Sequence, residues 1–150
     1  MTGLPQRLIY SSRFGPAFPS AVEDQEDEIG KIVRASIRNN RQVSISGLLL
    51  AHHGWFVQAL EGPAQAIADT ICRITTDDRH REVTVLGRCA AKREFAGWNM
   101  CARRISRADD VILESLGASA FDPGSWTPAS ALRVLIEIRD RQTETMTALI

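Results

Sequence analysis

Long apolar runs, paired cysteines and a surplus of either charge are all missing from this chain of 150 residues. No stretch comes near the roughly 20 apolar residues that a membrane-crossing helix needs, and residues 1–20 have no secretion-signal core. No membrane association is therefore expected. The 18 basic and 18 acidic residues cancel, which removes the general electrostatic argument for nucleic acid or an anionic lipid surface. Only three cysteines occur (Cys72, Cys89 and Cys101), an odd number with no CxxC spacing. They fit buried or half-buried thiols in a reducing cytosol better than a disulfide framework or a zinc site. A cytoplasmic protein without a metal is the expectation.

Catalytic signatures are missing too: there is no GxGxxG, GxxxxGK[ST], GxSxG or HExxH. His52 and His53 are adjacent, so in a strand they would point to opposite faces, and a solvated turn is their expected place. Asp77-Asp78 reads as a solvated pair at a helix end. Residues 13–20, with two prolines and one glycine, are poor material for the phosphate-cradling loop of an acylphosphatase-like hydrolase. No repeat, low-complexity tract or linker divides the chain, and its 44% hydrophobic and 24% charged residues are the balance of one globular domain.

What is present is a regular alternation of strand and helix patterns. Leu8–Ser12 is a short β-rich run, and residues 13–20 form a loop. Acidic residues Glu23 to Glu28, followed by Lys31, Arg34 and Arg38, suit the dipole of a helix over 22–39. Ile29, Ile32, Val33 and Ile37 give it an apolar face, and Asn39-Asn40 closes it. Ile45–Leu50 and Trp55–Leu60 form a hairpin across a His-Gly turn. Pro63 starts a second helix with Ile67, Ile71 and Ile74 on one face, ending near Thr76–His80. Val83–Leu86 and a segment near 95–102 are further strands. The order β-α-β-β-α-β-β predicts an α+β, ferredoxin-like fold: a five-stranded mixed sheet with both helices on one face. Ala108–Leu116 is a short helical segment, Phe121–Ser125 a turn, and Thr127-Pro128 caps a last helix bearing Leu132, Leu135, Ile136 and Ile138. These C-terminal helices are expected on the other face, or on a partner.

One residue breaks the apolar hairpin. Gln58 stands between Val57 and Ala59, and a buried carboxamide is costly unless both its ends find partners. In a split βαβ sheet the first and third strands are neighbours, so Tyr10 can lie beside Gln58 under the helices. Ile32 and Ile74 would wall a slot suited to a flat aromatic ring, and Asn40 with Gln58 would offer both donors and acceptors to a heterocycle. Arg79 and His80 could meet a charged tail. Each residue also has a plain structural use: Tyr10 in the core, Asn39 and Asn40 as helix caps, Gln58 on a backbone group. Spacing alone leaves ligand binding and simple packing evenly balanced.

The motifs in sequence tip that balance. Leu8-Ile9-Tyr10-Ser11-Ser12, Ile45–Leu50, Gly54–Gly62, Arg73-Ile74, Asp78-Arg79-His80 and Arg93–Met100 together, in this order, resemble the BLUF domain, a blue-light sensor that uses FAD. The resemblance runs from Leu8 to about Met100. It implies that Tyr10 donates an electron and a proton to the photoexcited flavin, and that Gln58 bridges this tyrosine and the flavin. It implies that Asn40 bonds the carbonyl and imide edge of the ring with Asn39 as companion, that Ser36, Ile32 and Ile74 line the slot, and that Arg79 and His80 lie near the ring's far edge and tail. Trp98 and Met100 match a strand where relatives pass on the signal. FAD is the implied cofactor, with FMN or riboflavin also admissible. Ser46 stands where relatives usually have Thr and Ala51 where they have Tyr, and the loop after Tyr10 is longer than usual.

The implied organisation is a flavin-binding domain over 1–105 and a helical extension over 106–150 within the same globular unit. The implied function is a photoreceptor rather than an enzyme: light rearranges the Tyr-Gln-flavin hydrogen bonds, by rotation or tautomerisation of Gln58. The output passes to a downstream signalling protein, and a homo-oligomer is expected. Residues beyond Ser106 match no effector, which fits a short stand-alone receptor. The rival is a non-photoactive ferredoxin-like interaction module that has kept the fold, which loss of Tyr10, Asn40 or Gln58 would have favoured. An enzyme on the same scaffold is weaker still, for want of a nucleophile–base pair.

Overall fold

A computed structural model of the chain describes residues 4–98, 101–104 and 122–148. Four antiparallel strands make the body of the sheet: β1 (Gln6–Phe14), β2 (Ser46–His52), β3 (Trp55–Gly62) and β4 (His80–Ala90). A four-residue strand, β5 (Cys101–Arg104), continues the β2 edge in parallel, so the spatial order is β4-β1-β3-β2-β5. Helices α1 (Val22–Val43) and α2 (Ala64–Thr75) join the strands, and a last helix, α3 (Pro128–Ala148), follows a single 3₁₀ turn at Pro123–Ser125.

Strand alternation sorts the core into two layers. Leu8, Tyr10, Leu49, Phe56 and Leu60 face one way and pack against Ile29, Ile32 and Ile67 of α1 and α2. Ile9, Leu48, Leu50, Val57 and Ala59 face the other way and pack against Ala131, Val134, Leu135 and Ile138 of α3. Thr127 caps α3 as its spacing predicts, its Oγ1 accepting the Ser130 N–H at 3.1 Å. The approach of α3 to β4 requires a glycine, because a Cβ at Gly87 would lie 2.5 Å from Pro128 Cγ.

Several expectations need correcting. Helix α1 runs to Val43, a turn past Asn39-Asn40. The left-handed residue that ends it is Ser44, at φ 61°, since Arg41-Gln42-Val43 carries no stop signal. Strand pairing lengthens β1 and β4 at both ends, so Arg13 and Phe14 belong to a strand, and His80 opens β4 instead of ending α2. Pro63 is the N-cap of α2, one place before the expected position. Of the strand expected near 95–102, the described residues show Cys101–Arg104 as strand, while residues 95–98 are not strand and turn at Gly97, with φ 84°. Cys72 and Cys89 are exposed thiols and not buried ones. Ala108–Leu116 and Met100 lie outside the described residues, as do the side chains of Asn40 and Cys101.

Candidate functional site: a slot between the sheet and two helices

The hairpin sets the site. His53 and Gly54 are its two loop residues, both with positive φ (47° and 83°), the turn pattern that matches the twist of paired strands. The rings of His52 and His53 stay in contact across this turn, with centroids 3.8 Å apart, and do not diverge as strand neighbours would. The turn fixes the register in which Gln58 lies opposite Leu49 on β2 and opposite Tyr10 on β1. Tyr10 Oη donates a hydrogen bond to Gln58 Oε1, and both side chains are buried. The buried amide is thus held by the tyrosine that the strand order places beside it.

Above this pair is a cavity of about 190 Å³ between the sheet, α1 and α2. Ile32, Leu49, Leu60 and Ile74 supply apolar walls, and Ser36, Asn39, Gln58 and Thr70 supply polar ones. Asp77, Arg73, Arg79 and His80 complete the lining. Every described residue expected at the flavin (Tyr10, Ile32, Ser36, Asn39, Gln58, Ile74, Arg79 and His80) is therefore brought to one slot. Asn39 is exposed and stands at its rim.

Charge is arranged around the phenol. Burial pushes the Tyr10 hydroxyl far above the usual tyrosine range and the negative charge of Asp77 adds to it, so Tyr10 is a firm hydrogen donor. His80 Nδ1 lies 2.8 Å from Ser12 Oγ, and the imidazole packs edge-on to Tyr10 and against Phe56. Burial lowers its pKa to about 4; Asp77 opposes the shift and Arg79 reinforces it, so the ring is neutral. Arg79 donates to Asp77 through Nε and Nη2 (the latter at 2.6 Å) and to Glu28 Oε1 at 3.1 Å. The Arg79 hydrogen bonds hold the Asp77 carboxyl below the usual carboxylate range.

Leu49, Leu60, Thr70 and Arg73 also line the slot beyond the residues expected there, and so does Asp77, which was expected in a solvated pair but is held by Arg79. Thr70, Arg73 and Ile74 stand at i, i+3 and i+4 on α2, so the helical period that found Ile74 could have found the other two; Asp77 follows the helix end. Trp98 falls elsewhere. It precedes β5, packs with the α3-side cluster and is not part of the slot lining.

A family model described as "Sensors of blue-light using FAD" matches residues 6–101, well over half of the chain. The chain belongs to the BLUF family. Its flavin-based sensing of blue light follows from that membership, and the Tyr10–Gln58 hydrogen bond is in place for it. The blue light- and temperature-regulated antirepressor BluF of Escherichia coli is 30% identical over 113 residues, covering 72% of this chain and 27% of the relative. The photoactivated adenylate cyclase subunit beta of Euglena gracilis is 44% identical over 59 residues, 39% of this chain but only 7% of the cyclase. The chain thus spans a small part of the curated relatives it matches. The dark-state structure of BlrB, a BLUF protein, superposes with a TM-score of 0.70 at 28% identity, covering 91% of this chain and 98% of BlrB. Among the described residues no helix is long and apolar enough to cross a membrane.

Proposed function

We propose that this chain is a blue-light receptor whose switch is the Tyr10–Gln58 pair and whose output passes to a partner protein. The single observation that carries this reading is the buried hydrogen bond from Tyr10 Oη to Gln58 Oε1 at the floor of the slot. The lining fits a flavin. The cavity of about 190 Å³ has apolar side chains from the sheet and from both helices, the lining a flat ring calls for. Ile32, Leu49, Leu60 and Ile74 would grip the ring faces, and Gln58, Ser36 and Asn39, with Asn40 by the family resemblance, would bond its polar edges. Arg73, Arg79 and His80 would meet the tail side.

A bound flavin, excited by blue light, supplies a transient one-electron oxidant. The protein's part is proton control. Tyr10 holds its proton on a preformed bond to Gln58 Oε1, with both side chains buried, and an oxidised phenol is a far stronger acid than a resting one. The proton therefore has one short route, along that bond to the amide oxygen. Once the electron and the proton have both returned to Tyr10, Gln58 would settle with its donor and acceptor ends exchanged, and the burial of both side chains would favour persistence of the new hydrogen bonds. No substrate is turned over, so the output is a shift between two protein populations, read by a downstream protein or by another copy of the chain. Trp98 stands at the output end of this switch, on the α3 side of the sheet.

Purified protein should be yellow, and blue light should shift its absorption reversibly to the red. A colourless preparation that FAD cannot reconstitute would refute the proposal. A pull-down compared between light and dark identifies the partner.

A further inference from the structure

Strand β3 shows Gln58 to the slot and, three positions on, turns Glu61 to the opposite side. Glu61 is 1% exposed, yet its carboxylate is fully engaged. Oε2 accepts Arg7 Nε at 2.8 Å and the Glu94 N–H at 2.9 Å, and Oε1 accepts the Phe95 N–H at 2.8 Å. Two consecutive backbone amides of the segment before β5 are thus fixed to one side chain of β3. Arg93 adds hydrogen bonds to Ser46 Oγ (2.8 Å) and to the Glu61 carbonyl (3.0 Å).

The same segment is held from its other side. Arg139 of α3 donates to the Glu94 carbonyl, approaches the Glu94 carboxylate at 3.5 Å, and sets its guanidinium 5.7 Å above the ring of Phe95. Phe95 itself is fully buried in the α3-side cluster. Further along, the Gly47 N–H donates to the Trp98 carbonyl at 2.8 Å, just before the chain enters β5. The Glu94–Phe95 unit therefore gives its N–H groups to β3 and its carbonyl to α3. None of these residues lines the slot.

We infer that Glu94–Phe95 is the coupling joint between the switch strand and α3, with Glu61 as its positioning residue and Arg139 as the latch on α3. This rests on the proposed function, since it takes the reorganisation of Gln58 as its input. A shift of β3 moves the Glu61 carboxylate, and with it the Glu94 carbonyl that Arg139 holds. Charge-assisted hydrogen bonds are strong but directional, so a small displacement weakens the latch and α3 docks more loosely in the light.

Hydrogen–deuterium exchange of the α3 amides, on the flavin-loaded full chain in dark and light, tests this beside the absorption shift. Wild type should show a normal red shift and faster α3 exchange in the light. Arg139→Ala should keep the red shift, exchange in the dark as fast as lit wild type, and lose the light–dark difference. Arg139→Lys, which can still donate to the carbonyl, should recover part of that difference. Glu61→Gln, if it folds, should also keep the red shift and lose the difference. A light–dark difference that persists in Arg139→Ala overturns the joint, and so does a wild type that red-shifts with no change in α3. A wild type without a red shift overturns the receptor reading and the joint together.

Discussion

The two faces of the sheet are built from the same strands and serve different ends. On the α1/α2 face the strands contribute Tyr10 and Gln58, and the helices stand off far enough to leave a cavity. On the α3 face they contribute Ile9, Leu48, Leu50, Val57 and Ala59, which close directly on Leu135 and Ile138. One face sets a Tyr–Gln pair beside a cavity; the other packs aliphatic side chains on α3 and keeps its polar atoms in the Arg7–Glu61 pair. A strand can carry both because successive residues alternate, so chemistry and stability are divided by the pleat and not by domain boundaries.

That contrast can be broken most sharply at Gln58. Gln58→Leu should keep the yellow colour and lose the red shift completely, and Tyr10→Phe should do the same; a normal shift in either variant would remove the switch from this face. On the other face Leu135→Ala should give the opposite result. Its side chain is fully buried, so the variant should lose about 2–5 kcal/mol in urea unfolding while the flavin still red-shifts. Gly87→Ala adds a Cβ 2.5 Å from Pro128 Cγ, and the forced retreat of α3 should cost about 1–3 kcal/mol by the same measurement, again with colour retained.

The smallest expected effect concerns pH. His80 has a folded pKa of about 4, below its ordinary 6.5, so the unfolded chain binds the proton more readily between those values. Stability should be full above about pH 6.5 and decline as pH falls towards 4. Asp77, whose pKa is lowered from 3.8, adds its loss only below that window. His80→Gln should flatten the decline in denaturant midpoints between pH 6.5 and 4; an unchanged slope would show that the imidazole is not held neutral.

Legibility in the sequence followed the range of the interactions. Periods of two and near four placed the strands and helices, and the strand order alone put Tyr10 beside Gln58. The chain segments that depend on distant partners were not legible. The irregular run before β5 is fastened to Glu61 across 33 and 34 positions, and Arg7 meets Glu61 across 54. No local pattern reports such pairs, although the Tyr10–Gln58 register brings Arg7 opposite Glu61 once it is known. Helix α1 outran its predicted end because asparagine is permitted, and not required, at a helix terminus.

The tight turn at His53-Gly54 has a consequence for how such a receptor can change over time. A slip of β3 by one place against β2 would turn every side chain on it to the other face, and this two-residue turn is one of the features that hold the register. Val57 and Ala59 would then look into the slot, and the amide of Gln58 would be driven into the aliphatic layer beneath α3. Light sensing therefore depends on a strand register to which a turn outside the slot lining contributes. Evolution is free to vary that loop only in ways that preserve this register.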